Sequence, residues 1–209
     1  MERTCLEGRL AEELAELGDW DRSIDKPRAI AALHDGRAAI PADDLLHETA
    51  HHKLHAVEEL GPLTRGGEDA LWWSPWRRAW RPLRGIVHAT YTFMHAALLF
   101  ARMRRAAHGK LSEARRRFAA ERLLEEHAAL EHSLGDLEGA EALGLLSVQG
   151  VELRRELAAL FEAEVRPEAR AARIQLKTAG AAQALRRIDG ARRLLRAKRR
   201  TQPGLVRGS

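Results

Sequence analysis

One cysteine, Cys5, in 209 residues excludes an internal disulfide and leaves the fold to burial and packing. Its place near the N-terminus argues against a catalytic thiol. β-Branched residues are sparse while Ala, Leu, Arg and Glu dominate, a composition that favours helix because straight-chain residues lose little rotamer freedom there. No charged-then-apolar leader opens the chain. The longest apolar stretch, around Phe93 to Ala101, is broken by His95 and is too short for a bilayer. No membrane is therefore expected as a partner, and the reading is cytoplasmic. Internal repeats and low-complexity linkers are also missing.

What is present is an ordinary globular share of hydrophobic residues, 45%, enough for one core. Charge is uneven: residues 166–209 hold 13 Lys+Arg against 2 Asp+Glu, so the basic character of a +5 chain belongs to its C-terminus. The expected fold is all-α, a single-domain helical bundle with an ordered Trp-rich loop covering a metal site. Residues 1–166 would form the catalytic domain. A basic C-terminal helix over 167–204 would pack on it or extend from it, and the closing LVRGS, 205–209, is similar to a thrombin-site cloning remnant.

Leu6, Leu10, Leu14 and Leu17 mark a first helix over 5–17, and a second short one is expected over 27–34. A third begins after Pro41, with Asp43 or Asp44 as its cap, and runs to about Leu60 before Gly61-Pro62. Further helices are expected over 83–107, 112–134 and 149–165, the last stopped by Arg166-Pro167, with a short helix or turn over 139–147. A final helix would start at Glu168. Between Gly61 and Pro82 lies GPLTRGGEDALWWSPWRRAWRP, with four of the five tryptophans and three of the seven prolines. So long a connection needs a task, and so many tryptophans need order.

The third helix carries LLHETAHHKLH. His47-Glu48-Thr49-Ala50-His51 has the H-E-x-x-H form, which places two imidazoles one turn apart on one helix face. Leu45, Leu46, Ala50, Leu54 and Val57 are expected to bury the other side. A catalytic metal needs a third ligand and an open position. His88, in the apolar run RGIVHATYTF, is the best candidate, and His95 is the alternative. His52 points about 100° from His51, and His55 lies two turns from His47; both read as bystanders.

The combination of HETAHHKLHAVEEL with SPWRRAWRPLRGIVHATYTF resembles the HExxH-type peptide β-hydroxylases that use 2-oxoglutarate, HExxH-motif proteins found beside ribosomally made, modified peptides in bacteria. The resemblance covers residues 44 to 100 and extends weakly into the later helices. It implies an iron(II) ion held by His47, His51 and His88, with Glu48 as the motif glutamate. It further implies 2-oxoglutarate and O2 as co-substrates and a precursor peptide as substrate. Trp80 stands where a small or proline-like residue is expected.

Three protein ligands leave two positions for 2-oxoglutarate and one for oxygen. The distal carboxylate calls for arginine; Arg77, Arg81 and Arg84 are the candidates, with Arg81 and Arg84 favoured. Trp72, Trp73, Trp76 and Trp80 would form a lid, with Trp73, Trp76 and Trp80 lining the substrate site. A zinc metallopeptidase is the alternative, with Glu48 as general base; against it, no convincing strand run is found. The third reading is a helical module whose RRIDGARRLLRAKRR end engages nucleic acid or an acidic partner. Nucleic acid is the less expected of the two, since no aromatics are interleaved and no reading-head motif is found. A homodimer is compatible with all three.

Overall fold

The computed structural model describes residues 42–66, 70–105 and 112–200. The helices expected over 5–17 and 27–34, Cys5 and the 205–209 remnant lie outside the described residues. In chain order the elements are α1 (Ala42–Glu59), β1 (Leu71–Ser74), β2 (Ala79–Pro82), α2 (Leu83–Arg105), α3 (Glu113–Ala142), α4 (Val148–Leu160), a π-helical turn (Phe161–Val165), α5 (Arg166–Thr178) and α6 (Ala182–Arg200). The fold is mostly helical, as expected, but it is not all-α. Part of the Trp-rich connection pairs as an antiparallel hairpin with Trp72 opposite Arg81 and Trp73 opposite Trp80. Cross-strand aromatic pairs stabilise such ribbons, and the turn places Arg78 at a positive φ of 50°.

α3 is the centre. It buries residues around most of its girth, from Ala119 to Ala140, and packs against α2, α5 and α6. One apolar cluster joins Met94, Phe100, Leu123, Leu130, Leu157, Phe161 and Ile188. A second joins Leu54, Leu63, Trp72, Leu83, Ile86, Val87 and Leu137. α3 begins with Ser112 accepting from the Arg115 N–H, as a cap should, and runs on to Ala142 instead of ending near 134. The apolar residues at 137 and 140 keep the stripe facing the core.

Two helix boundaries also differ from expectation. Arg166-Pro167 does not stop the helix: the Arg166 N–H bonds to the Phe161 carbonyl five residues back. That wider π-helical turn gives the proline ring space, and Pro167 then sits in the first turn of α5, where its missing N–H costs little. The break comes later, at Ala179 and Gly180, the glycine having φ +68°, so the basic C-terminal stretch is two helices. Both pack on the bundle, with Arg173 held by Asp189 and Arg187 by Glu121 and Glu125.

The segment after α1 is stapled to the α3–α4 turn by a bridge between Thr64 and Leu146, with Ser147 N donating to the Leu63 carbonyl at 3.0 Å. Ser147 caps α4 by accepting from Gly150 N. A Cβ on Gly150 would collide with the Leu63 carbonyl oxygen, so backbone must move to admit one. Gly150→Ala is expected to cost about 1–3 kcal/mol, despite alanine's better helix propensity; chemical denaturation measures it, and a stabilised variant would contradict the packing described.

A buried pair on α3 sets a pH dependence. His132 Nε2 lies 3.3 Å from Asp136 Oδ2, both side chains almost fully enclosed, and Arg199 approaches the same carboxylate at 3.9 Å. Burial, only partly offset by Arg199, pushes the Asp136 carboxyl up to about 7 from 3.8. The folded chain therefore keeps this proton to higher pH than the unfolded chain does. The resulting stability is complete below about pH 4 and is lost as pH rises through about 7. His132, lowered to about 4 by burial and then by Arg199, acts oppositely, contributing above about pH 6.5 and losing that as pH falls. Between about pH 5 and pH 8 the wild type should lose roughly 2 kcal/mol relative to Asp136→Asn, a difference that urea titrations at the two pH values would read.

Candidate metal centre

α1 carries a stripe of His47, His51, His55 and Glu58, spaced four, four and three residues apart, so that all four fall within about 80° of one another on the helix. Ala50 and Leu54, fully buried, adjoin that stripe. The apolar residues thus do not bury the far side of the helix, as expected from sequence, and Val57 is 40% exposed. His52 is exposed, in keeping with its reading as a bystander.

α2 lies antiparallel to this stripe. Glu58 meets Arg84, with Oε1 accepting from Nε at 3.0 Å and Oε2 from Nη2 at 2.7 Å. The His55 and His88 rings are 5.0 Å apart, and the His47 ring meets Phe93 edge-on at 4.9 Å. Antiparallel pairing places His88 opposite the middle and C-terminal part of the stripe and an aromatic ring opposite its start.

His51, His55 and His88 each offer a ligand nitrogen within 4.8 Å of the others, and this triad could hold a metal ion. His55, read from sequence as a bystander, belongs to it. His51 to His55 repeats the four-residue step of His47 to His51, and only the position of α2 tells the two steps apart. His47 adjoins the group, its Nε2 3.0 Å from His51 Nε2, close to the separation of about 3 Å that two ligands at right angles on one ion would have. His95 is not part of the group and packs on Tyr91 at 4.7 Å.

The donors suit a cation in chemistry as well as placement. Burial first, then the neighbouring imidazoles of His47, His88, His55 and His52, lowers His51 to about 4, so its ring is neutral at pH 7, the form that ligates. Its Nδ1 is buried with no hydrogen-bond partner in the described protein. Burial likewise lowers His88, outweighing the opposite pull of Glu58.

Glu58 is the site residue that sequence reasoning missed. Its Oε1 stands 3.0 Å from His88 Nε2 and its Oε2 3.3 Å from His55 Nδ1. Burial alone would raise its carboxyl, but hydrogen bonds from Arg84 and His88 overcome this and hold it at about 2. The available signal was its position eleven residues after His47, three turns along the same face.

The remaining candidates are spread out. Glu48 lies on α1 one residue from the stripe, half-buried. Arg84 is engaged by Glu58; Arg81 is exposed, its guanidinium Nε 3.5 Å from where a Cβ of Gly85 would be. Arg77 is exposed in the hairpin turn, its N–H directed at Ser74 Oγ. Trp72 is buried in the second apolar cluster. Trp73 and Trp80 form an edge-to-face pair that packs with Ala128 and Leu195, under the Lys198 ammonium at 4.3 Å from the Trp73 ring. Only Trp76 reaches the histidines through a chain of rings, stacked on Phe93 at 4.5 Å. Strand alternation and cross-strand pairing turn the other two toward α3 and α6.

A surface depression of about 280 Å³ lies at the α3–α4 turn, lined by Arg65, Leu146, Val148, Val151 and Arg155 among others, and no histidine borders it. No helix among the described residues is long and apolar enough to cross a membrane. Comparison with protein-family models and with curated proteins found no match for this chain. What fold and site define is a mostly helical protein with a histidine triad, able to hold a metal ion, between two antiparallel helices.

Proposed function

We propose that the protein is an iron(II)- and 2-oxoglutarate-dependent oxygenase that hydroxylates a β-carbon in a ribosomally made peptide. The observation that carries the metal-dependent part is the convergence of His51, His55 and His88; the peptide and co-substrate rest on the sequence resemblance across residues 44 to 100. When bound, iron(II) with 2-oxoglutarate and oxygen supplies oxidative decarboxylation to succinate coupled to hydroxylation of a carbon.

The chain's own residues fit that role as follows. Three imidazoles hold the ion and leave coordination positions for small molecules. With Arg84 committed to Glu58, Arg81, in β2 four residues before Gly85 and seven before His88, is the arginine to bind the distal carboxylate. Phe93 and Trp76 close the His47 end with apolar surface, which keeps water and side chains away from an oxidant.

Anaerobic addition of iron(II) and 2-oxoglutarate should produce the visible charge-transfer band of a bidentate chelate, weakened in Arg81→Ala. No band, together with tight zinc binding and peptide cleavage, would replace this reading with a zinc peptidase. One observation favours that second reading: a β-strand does precede the His88 helix, so the lack of strand no longer counts against it. Glu48→Gln separates the two. It should abolish a peptidase, whose water needs a general base, and spare most of an oxygenase.

A further inference from the structure

Resting on the metal-site reading above, we propose that Glu58 is the positioning residue of the centre: one carboxylate that orients two of the three imidazoles, itself fixed by Arg84. Its two oxygens divide the work. Oε1 lies 3.0 Å from His88 Nε2 and Oε2 3.3 Å from His55 Nδ1, distances at which a small turn of each ring directs its N–H at the carboxylate, while Arg84 grips both oxygens through Nε and Nη2. An imidazole that directs one ring N–H at a carboxylate keeps its lone pair on the other nitrogen, so the partner selects which atom ligates. Glu58 thereby assigns Nδ1 of His88 and Nε2 of His55 to the ion, two different nitrogens on two different helices.

The fork geometry explains why arginine stands at 84. A carboxylate that must serve two imidazoles cannot rotate freely, and a bidentate guanidinium removes that rotation. It also neutralises the charge of Glu58 beside a cation site. The Arg84 side chain is 57% exposed and that of Glu58 only 12%, so the clamp closes the site from the solvent side. Glu58 and His55 come from the last turns of α1, and Arg84 and His88 from the first turns of α2. Positioning and docking of the two helices are thus one set of contacts.

The test uses the full chain and cobalt(II) alone as probe, followed by its visible absorption. Glu58→Gln should bind cobalt about 10–100-fold more weakly than wild type with an altered band shape, and Glu58→Asp should recover part of the affinity. A Glu58→Gln protein that titrates like wild type with the same spectrum overturns the proposal and leaves the metal site standing. Wild-type protein that takes up no cobalt removes the site and this proposal together. An independent reading needs no variant. In the zinc-loaded wild type, long-range 15N NMR of the rings should show His88 bound through Nδ1 and His55 through Nε2, and His88 bound through Nε2 would overturn the assignment.

Discussion

His88→Ala should reduce affinity for a divalent transition ion by more than about 100-fold, since loss of a ligand exceeds the 10–100-fold cost typical of losing an outer partner. His51→Ala should match it. The decisive comparison is between the two ends of the α1 stripe. His55→Ala is expected to behave like His88→Ala, because its ring stands 5.0 Å from that of His88. His47→Ala, whose ring faces Phe93, should lose about tenfold or less. Equilibrium titration with cobalt(II) on the four variants reads this directly. A reversed order, with His47 essential and His55 dispensable, would favour the set of His47, His51 and His88 that the sequence resemblance implies. His52→Ala, exposed on another face, serves as the control and should leave binding unchanged.

Glu126→Ala should destabilise the fold by about 2–4 kcal/mol and disturb the site at a distance. Glu126 is 2% exposed and its carboxylate accepts from the Trp76 indole N–H at 2.8 Å and from Arg122 Nη2 at 2.8 Å. Its removal leaves the indole N–H short of an acceptor and takes from Arg122 one of its two carboxylates, Glu125 remaining at 2.9 Å, so a buried hydrogen-bonded network is broken from its most enclosed member. Arg122 is 34% exposed, which keeps the cost below that of a fully enclosed pair. Trp76 should then loosen from Phe93 and, through it, from His47. Thermal unfolding would report the first effect, and the environment of the tryptophans by near-UV circular dichroism the second. Glu126→Gln keeps an acceptor for the indole and should cost less than half as much. Equal losses for the two variants would mean that the carboxylate charge, and not its hydrogen bonds, is what the core uses.

Much of the fold was legible without coordinates. Ala- and Leu-rich periodicity marked the helices over α1, α2, α3 and α4 because amphipathic spacing is a local property. The errors fall where a local signal met a tertiary one. The paired tryptophans of LWWS and AWRP read as loop because each run is four residues long, too short for alternation to speak, and their pairing is a contact between segments. Arg166-Pro167 read as a stop because a proline normally breaks the α-helical hydrogen bonding, and the π-helical turn that absorbs it is sustained by burial of Phe161 and Val165. The partners of the basic C-terminal stretch are likewise contacts between helices, with Arg173, Arg187 and Arg192 facing Asp189, Glu121 with Glu125, and His127, each on a helix other than their own.

The candidate site divides in the same way. The sequence by itself determined that His47, His51 and His55 share one face of one helix, since four-residue spacing on a 3.6-residue turn allows nothing else. It also singled out His88 as an imidazole within an apolar helix. Only the tertiary structure decided which three histidines stand together, that Glu58 joins them, and that Arg84 is taken by Glu58. These follow from the antiparallel docking of α1 and α2, which sets Phe93 opposite His47 and His88 opposite His55. A helix's own periodicity fixes which side chains share its face; it carries no information about which residue of another helix will be brought against them.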